Sequence, residues 1–169
     1  SGATPGTQTL TNVAAGQVLS LGDAADEFDN GAELDVTLAD ATGSADALTI
    51  NVNNTGGAQT DAALDISGVE TITLDVSAAT NNAAVAVANA EATTLNVVDG
   101  GAGAVLALGN LNAATSVVNL ADYDGEVTFS GANVTSAMTV TASSSAAADD
   151  FTLSDQNDTA TVGSTGAVD

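Results

Sequence analysis

The sequence predicts an all-β fold, a β-solenoid or β-helix of about 21 residues per coil, and three observations predict it. The first is internal repetition. Sliding the chain by 21 positions stacks Leu64, Val85, Leu106 and Val127 in one column and Ile66, Val87, Leu108 and Phe129 in another. The second is alternation: Leu64-Asp65-Ile66 and Ile72-Thr73-Leu74-Asp75-Val76 place apolar and polar residues in turn, the period of a strand with one buried face. The third is composition. Ala is abundant, but it sits among Thr, Val, Asn and Gly, with no helical stripe through any long window. A unit this small cannot bury its own apolar face, whereas stacked units share a core. A β-sandwich with evenly spaced strands is the alternative architecture.

Taken in order, residues 1–17 carry the only Pro, Pro5, and read as a linker or lead-in strand. Residues 18–63 read as irregular capping coils with an acidic loop, since end units of solenoids are atypical. Their strands are Glu33 to Asp40, with Leu34, Val36 and Leu38 on one face, and Leu48-Thr49-Ile50-Asn51-Val52. Residues 64–147 are the four-coil β-solenoid proper. In it Gly68, Asn89, Asn110 and Gly131 form a turn column, Thr73, Thr94, Thr115 and Ser136 a hydroxyl column, and Val76, Val97, Val118 and Thr139 follow. Residues 148–169 form a terminal acidic turn and strand.

Charge bounds the chemistry. The 169 residues include 22 Asp and Glu and no Lys, Arg or His, a formal net charge of -22. Nothing can neutralise a phosphate, so nucleic acid and anionic membrane surfaces are poor partners. No apolar run is long enough to insert in a membrane. The repulsion among carboxylates calls instead for divalent cations or salt. The stretch Gly22-Asp23-Ala24-Ala25-Asp26-Glu27-Phe28-Asp29-Asn30-Gly31 sets Asp23, Asp26 and Asp29 in a Gly-bounded loop, a pattern suited to calcium and also to a solvated acidic loop. It lacks the EF-hand spacing. Glu70 and Glu91 fall one repeat apart, an expected pair of adjacent carboxylates. Catalysis through His, or through Ser/His/Asp and Cys/His arrangements, is excluded by composition, and a sugar hydrolase would want more aromatics than Phe28, Phe129, Phe151 and Tyr123. The chain reads as a non-enzyme.

The run Leu38-Ala39-Asp40-Ala41-Thr42-Gly43-Ser44-Ala45-Asp46, then Leu48-Thr49-Ile50, then Ile66-Ser67-Gly68-Val69-Glu70-Thr71-Ile72, resembles bacterial surface-layer proteins of the Caulobacter, repeats-in-toxin kind. The resemblance covers about residues 20 to 165 and is most specific at Gly68-Val69-Glu70-Thr71. It implies calcium-stabilised β-solenoid segments, type I export, an extracellular, cell-surface location and self-association into a sheet. On it, Asp40 and Asp46 become candidate calcium ligands. So do Asp149 and Asp150, whose Asp-Phe-Thr ending is similar to that of a calcium turn, and Asp155 and Asp158 one strand later. The departure lies at Gly100-Gly101-Ala102-Gly103, where Val105 stands in place of a ligand Asp.

Two functions are therefore expected. The first is a structural module of a self-assembling surface layer or filament, with Ca2+ as its cofactor. The second is a spacer or ligand-binding module of a large calcium-dependent adhesin, for which a regular Thr-x-Thr face would indicate ice. Asn53, Asn133 and Asn157 each begin a glycosylation sequon.

Overall fold

In the computed structural model the chain describes residues 6–21, 32–52, 59–76, 82–98, 105–143 and 149–161. These contain fourteen strands and no helix. Seven line up in one parallel sheet, here the first: β1 (Thr7–Val13), β3 (Glu33–Leu38), β5 (Gln59–Ser67), β7 (Ala83–Ala90), β9 (Val105–Asn110), β11 (Glu126–Ser130) and β13 (Asp150–Thr152). The other seven form the second: β2 (Val18–Leu21), β4 (Ala47–Val52), β6 (Thr71–Asp75), β8 (Thr94–Val98), β10 (Val117–Asp122), β12 (Thr139–Thr141) and β14 (Thr159–Thr161). Odd and even strands alternate along the chain, so it winds from one sheet to the other and back. This is a β-solenoid.

The winding follows from alternation. Each central strand sends every second side chain inward: Leu48, Ile50 and Val52 from β4, Ile72 and Leu74 from β6, Leu95 and Val97 from β8, Val118 and Leu120 from β10, all buried. From the first sheet come Leu34, Val36, Leu64, Ile66, Val85, Val87, Leu106, Leu108 and Val127. Most outward residues between them are polar or small, which fixes the face each sheet turns inward. The core is built mainly of Leu, Ile and Val, and among the described residues Tyr123 is its one fully buried ring. Phe129 and Phe151 stack on adjacent rungs, centroids 4.9 Å apart and planes 3° from parallel.

The repeat length is corrected by the ladder. Thr71 lies beside Thr94, and Thr94 beside Val117, a rise of about 23 residues per turn rather than 21. The expected column of Leu64, Val85, Leu106 and Val127 survives only at Leu106 beside Val127. Val85 is the neighbour of Ala62, and Leu106 that of Ala83. The second apolar column slips likewise, Ile66 lying beside Ala90. The hydroxyl column is replaced too: Thr73 neighbours Asn96, and Thr115 is a buried corner residue whose hydroxyl donates to the Ala92 carbonyl at 3.1 Å. Where the error is two residues, as from Thr71 to Thr94, side chains stay on their correct face, because the pleat has a period of two. For that reason the fold was legible although its rows were not.

Residues 7–13 and 18–21 join the sheets as β1 and β2, and β3 and β4 continue the same two ladders. Strand β1 is an edge, and it breaks regularity there: the register shifts between Leu10 and Val13, and Asn12 takes a left-handed backbone, φ 62°. A bulge at an edge discourages further pairing on that side.

Candidate functional site

The most specific sequence phrase, Gly68-Val69-Glu70-Thr71, makes the corner between β5 and β6. Gly68 turns the chain at φ +71°, and a Cβ there would overlap the Ala41 side chain of the preceding coil, so no other residue fits. Val69 is buried beneath the corner. Glu70 then reaches back one coil: its Oε2 accepts from the Asp46 amide at 2.8 Å, while the Asp46 carbonyl accepts from the amides of Glu70 and Thr71, both at 3.0 Å. The corner continues upward as a spine. Thr94 N–H donates to the Glu70 carbonyl, Ser116 and Val117 N–H to that of Thr93, Thr139 N–H to Ser116, and Thr159 N–H to Met138.

Two further carboxylates staple one coil to the one before. Asp149, only 2 % exposed, accepts from the Val127 amide at 3.0 Å through Oδ1 and from the Ser143 amide at 2.9 Å through Oδ2. Asp158 Oδ1 accepts from the Met138 amide at 2.7 Å, and the Ser154 hydroxyl lies 2.9 Å from both its oxygens. At Asp158 the Met138 amide, the first cause, holds the carboxyl below the usual carboxylate range.

The candidate calcium ligands are thereby placed. Asp23, Asp26 and Asp29 lie outside the described residues, as do Gly100 to Gly103 and Asn53. Asp40 caps its own turn, accepting from the hydroxyl of Thr42 at 2.6 Å and from its amide at 3.0 Å; the hydroxyl, then the amide, lowers its pKa. Asp149 and Asp158 serve the chain's own amides. Asp150 and Asp155 are exposed. Asp46 is half-buried and differs from the rest: its Oδ2 is buried without a hydrogen-bond partner, next to Gly43 and one residue-to-residue contact from Glu70. Among the described residues no three acidic side chains gather into a group that could hold a metal ion. Oxygen chemistry suits calcium at Asp46 and Glu70, but two carboxylates fall short of the six to eight oxygens calcium takes.

The expected Glu70 and Glu91 pair does not form. Glu70 sits beside Thr93, whose hydroxyl donates to the Glu70 carbonyl at 3.1 Å, while the Glu91 amide donates to Ile66 in another part of the corner. An offset of 21 would place them side by side, but here the ladder runs at 23, from Thr71 to Thr94. The carboxylates that do lie side by side are Asp35 and Asp65, outward on β3 and β5. No offset of 21 could have shown this, because the coil between them is 30 residues long.

No family model matches the chain, and no similar protein or solved structure was found for it.

The outer faces of the two sheets differ. The first carries Glu33, Asp35 and Asp65 on one side and Glu126 and Asp150 on the other, with Ala84, Ala86, Ala88 and Ala107 between. A shallow groove of about 370 Å³ opens there where Gly109 interrupts the strand, lined by Thr128, Phe129, Ser130, Asp150 and Thr152. The second face presents two rows with no charge. One runs Ala47, Thr71, Thr94, Val117, Thr139, Thr159; the other Val18, Thr49, Thr73, Asn96, Asn119, Thr141, Thr161.

Tyr123 gives a direct test of the core. Burial pushes its phenol up to about 12, with the negative charges of Asp149 and Glu126 acting in the same direction. The folded state therefore prefers the neutral ring, and the stability this adds is complete below the ordinary value of 10.0 and is lost as pH rises through about 12. Since the chain has one Tyr, tyrosinate absorbance reports it alone. A midpoint near 12 in buffer, falling to near 10.0 in denaturant, is the expected result.

Proposed function

We propose that this chain is a structural module of a self-assembling bacterial cell-surface layer or filament, stabilised by calcium and other divalent cations. One observation carries the reading: a stack of parallel rungs in a chain whose only charged side chains are negative, -22 in all. Such a stack offers periodicity and an anionic surface. Two such surfaces approach each other only when counter-ions lie between them. The acidic stretch at 23–29, the unpartnered Asp46 oxygen and the Asp35 and Asp65 pair are the places where an ion would relieve most repulsion. The resemblance at Gly68-Val69-Glu70-Thr71 supports the same reading, and an extracellular location with it.

The experiment is thermal unfolding and particle imaging in calcium, in excess chelator, and in sodium chloride of matched ionic strength. Specific binding stabilises by about 2.7 kcal/mol when free ion is at 100 times its Kd. The expected result is a higher Tm and ordered particles in calcium, both lost on chelation. Equal melting curves in calcium and in matched salt, with no assembly, would sink the proposal.

A further inference from the structure

We propose that the outer face of the second sheet binds the surface of ice. The inference is independent of the assembly reading, which concerns the acidic surfaces.

The face is a two-dimensional lattice. Its two uncharged rows hold a Thr-x-Thr rung at Thr71 and Thr73, another at Thr139 and Thr141, and a third at Thr159 and Thr161, with the Thr94/Asn96 and Val117/Asn119 rungs between the first two and Thr49 below. Parallel pairing without a register break from β4 through β8, and again from β10 to β14, keeps these side chains in continuous rows. Rungs are spaced ~4.8 Å and alternate residues along a strand ~6.6 Å, the scale on which oxygens repeat on an ice face. Each Thr offers a methyl group to order water and a hydroxyl to bond it.

Preorganisation favours the match. Thr is stiff at χ1. Neighbouring rungs also fix one another, the Asn96 amide lying 3.4 Å from the Thr73 hydroxyl.

Charge selects the occupant. In a chain of -22, these rows hold no carboxylate, and Asp75 and Asp122 begin only in the adjoining row beside Val98. A second copy would bring its own -22, and no basic group is available for a phosphate. No aromatic side chain stands on these rows to stack on a sugar ring. An uncharged, hydrogen-bonding array in continuous register suits water held in a crystal.

The test uses the full chain in calcium-containing buffer, with strand content checked by circular dichroism. Freezing hysteresis and the shape of a single ice crystal are measured for the protein, for Thr73→Tyr and for Ala86→Tyr on the opposite face. Hysteresis with faceted crystals, abolished by Thr73→Tyr and kept by Ala86→Tyr, is the expected outcome. Should Thr73→Tyr fail to fold, Thr141→Asp near the end of the same row replaces it, with the same loss expected. A folded protein that leaves ice growth unchanged overturns the proposal, as does equal loss in Ala86→Tyr. Retention on insoluble cellulose or chitin without any effect on ice would also overturn it.

Discussion

Asp149→Ala is expected to lose about 2–5 kcal/mol of stability, because two buried amides, those of Val127 and Ser143, would be left without an acceptor. Removing one negative charge from a chain of -22 works in the opposite direction, but two unmet buried N–H groups, each costing about 1–3 kcal/mol, outweigh it. Asp149→Asn should fall between, keeping one oxygen and presenting an N–H to a second N–H. Urea unfolding at constant ionic strength measures both. An Asp149→Ala midpoint equal to that of the unaltered protein would show that the staple contributes nothing.

Leu74→Ala is the second large effect, about 2–5 kcal/mol by loss of transfer energy plus the cavity left behind. Leu74 is fully buried on β6, with Ile50 below and Val97 above in the ladder. Solenoid stability is close to a sum of repeats and the interfaces between neighbours, so weakening a central rung should also separate the unfolding of the two halves. A broader or two-step transition is expected, compared with a single small shift for Leu10→Ala on the exposed edge strand, where the side chain is 39 % exposed. Equal effects from the two substitutions would contradict the continuous core.

Alternation made both sheets readable before any coordinates. Ile72-Thr73-Leu74 and Val118-Asn119-Leu120 declare their buried faces by period alone. Row assignment was harder, because the turns vary. Three residues join β5 to β6 and β7 to β8, but six join β9 to β10, and a fixed offset cannot follow such changes. The acidic residues were visible as residues and opaque as roles. Asp149 takes its meaning from an amide 22 positions earlier, and Glu70 from one 24 positions earlier, distances at which no local pattern survives. The neutral lattice was likewise hidden: Thr159-Ala160-Thr161 is a short exposed strand that means little until it lies above Thr139-Val140-Thr141.

The ladder bonds of both sheets point along the stack, and this makes the rod mechanically anisotropic. Tension applied along the axis meets one rung's bonds at a time, so it peels coils successively at modest force. Load applied across the axis, parallel to the strands, must shear all the bonds between two neighbouring rungs together. A fabric woven from such rods would be stiff in the direction of its strands and extensible along its coils, lengthening by release of whole coils before it tears.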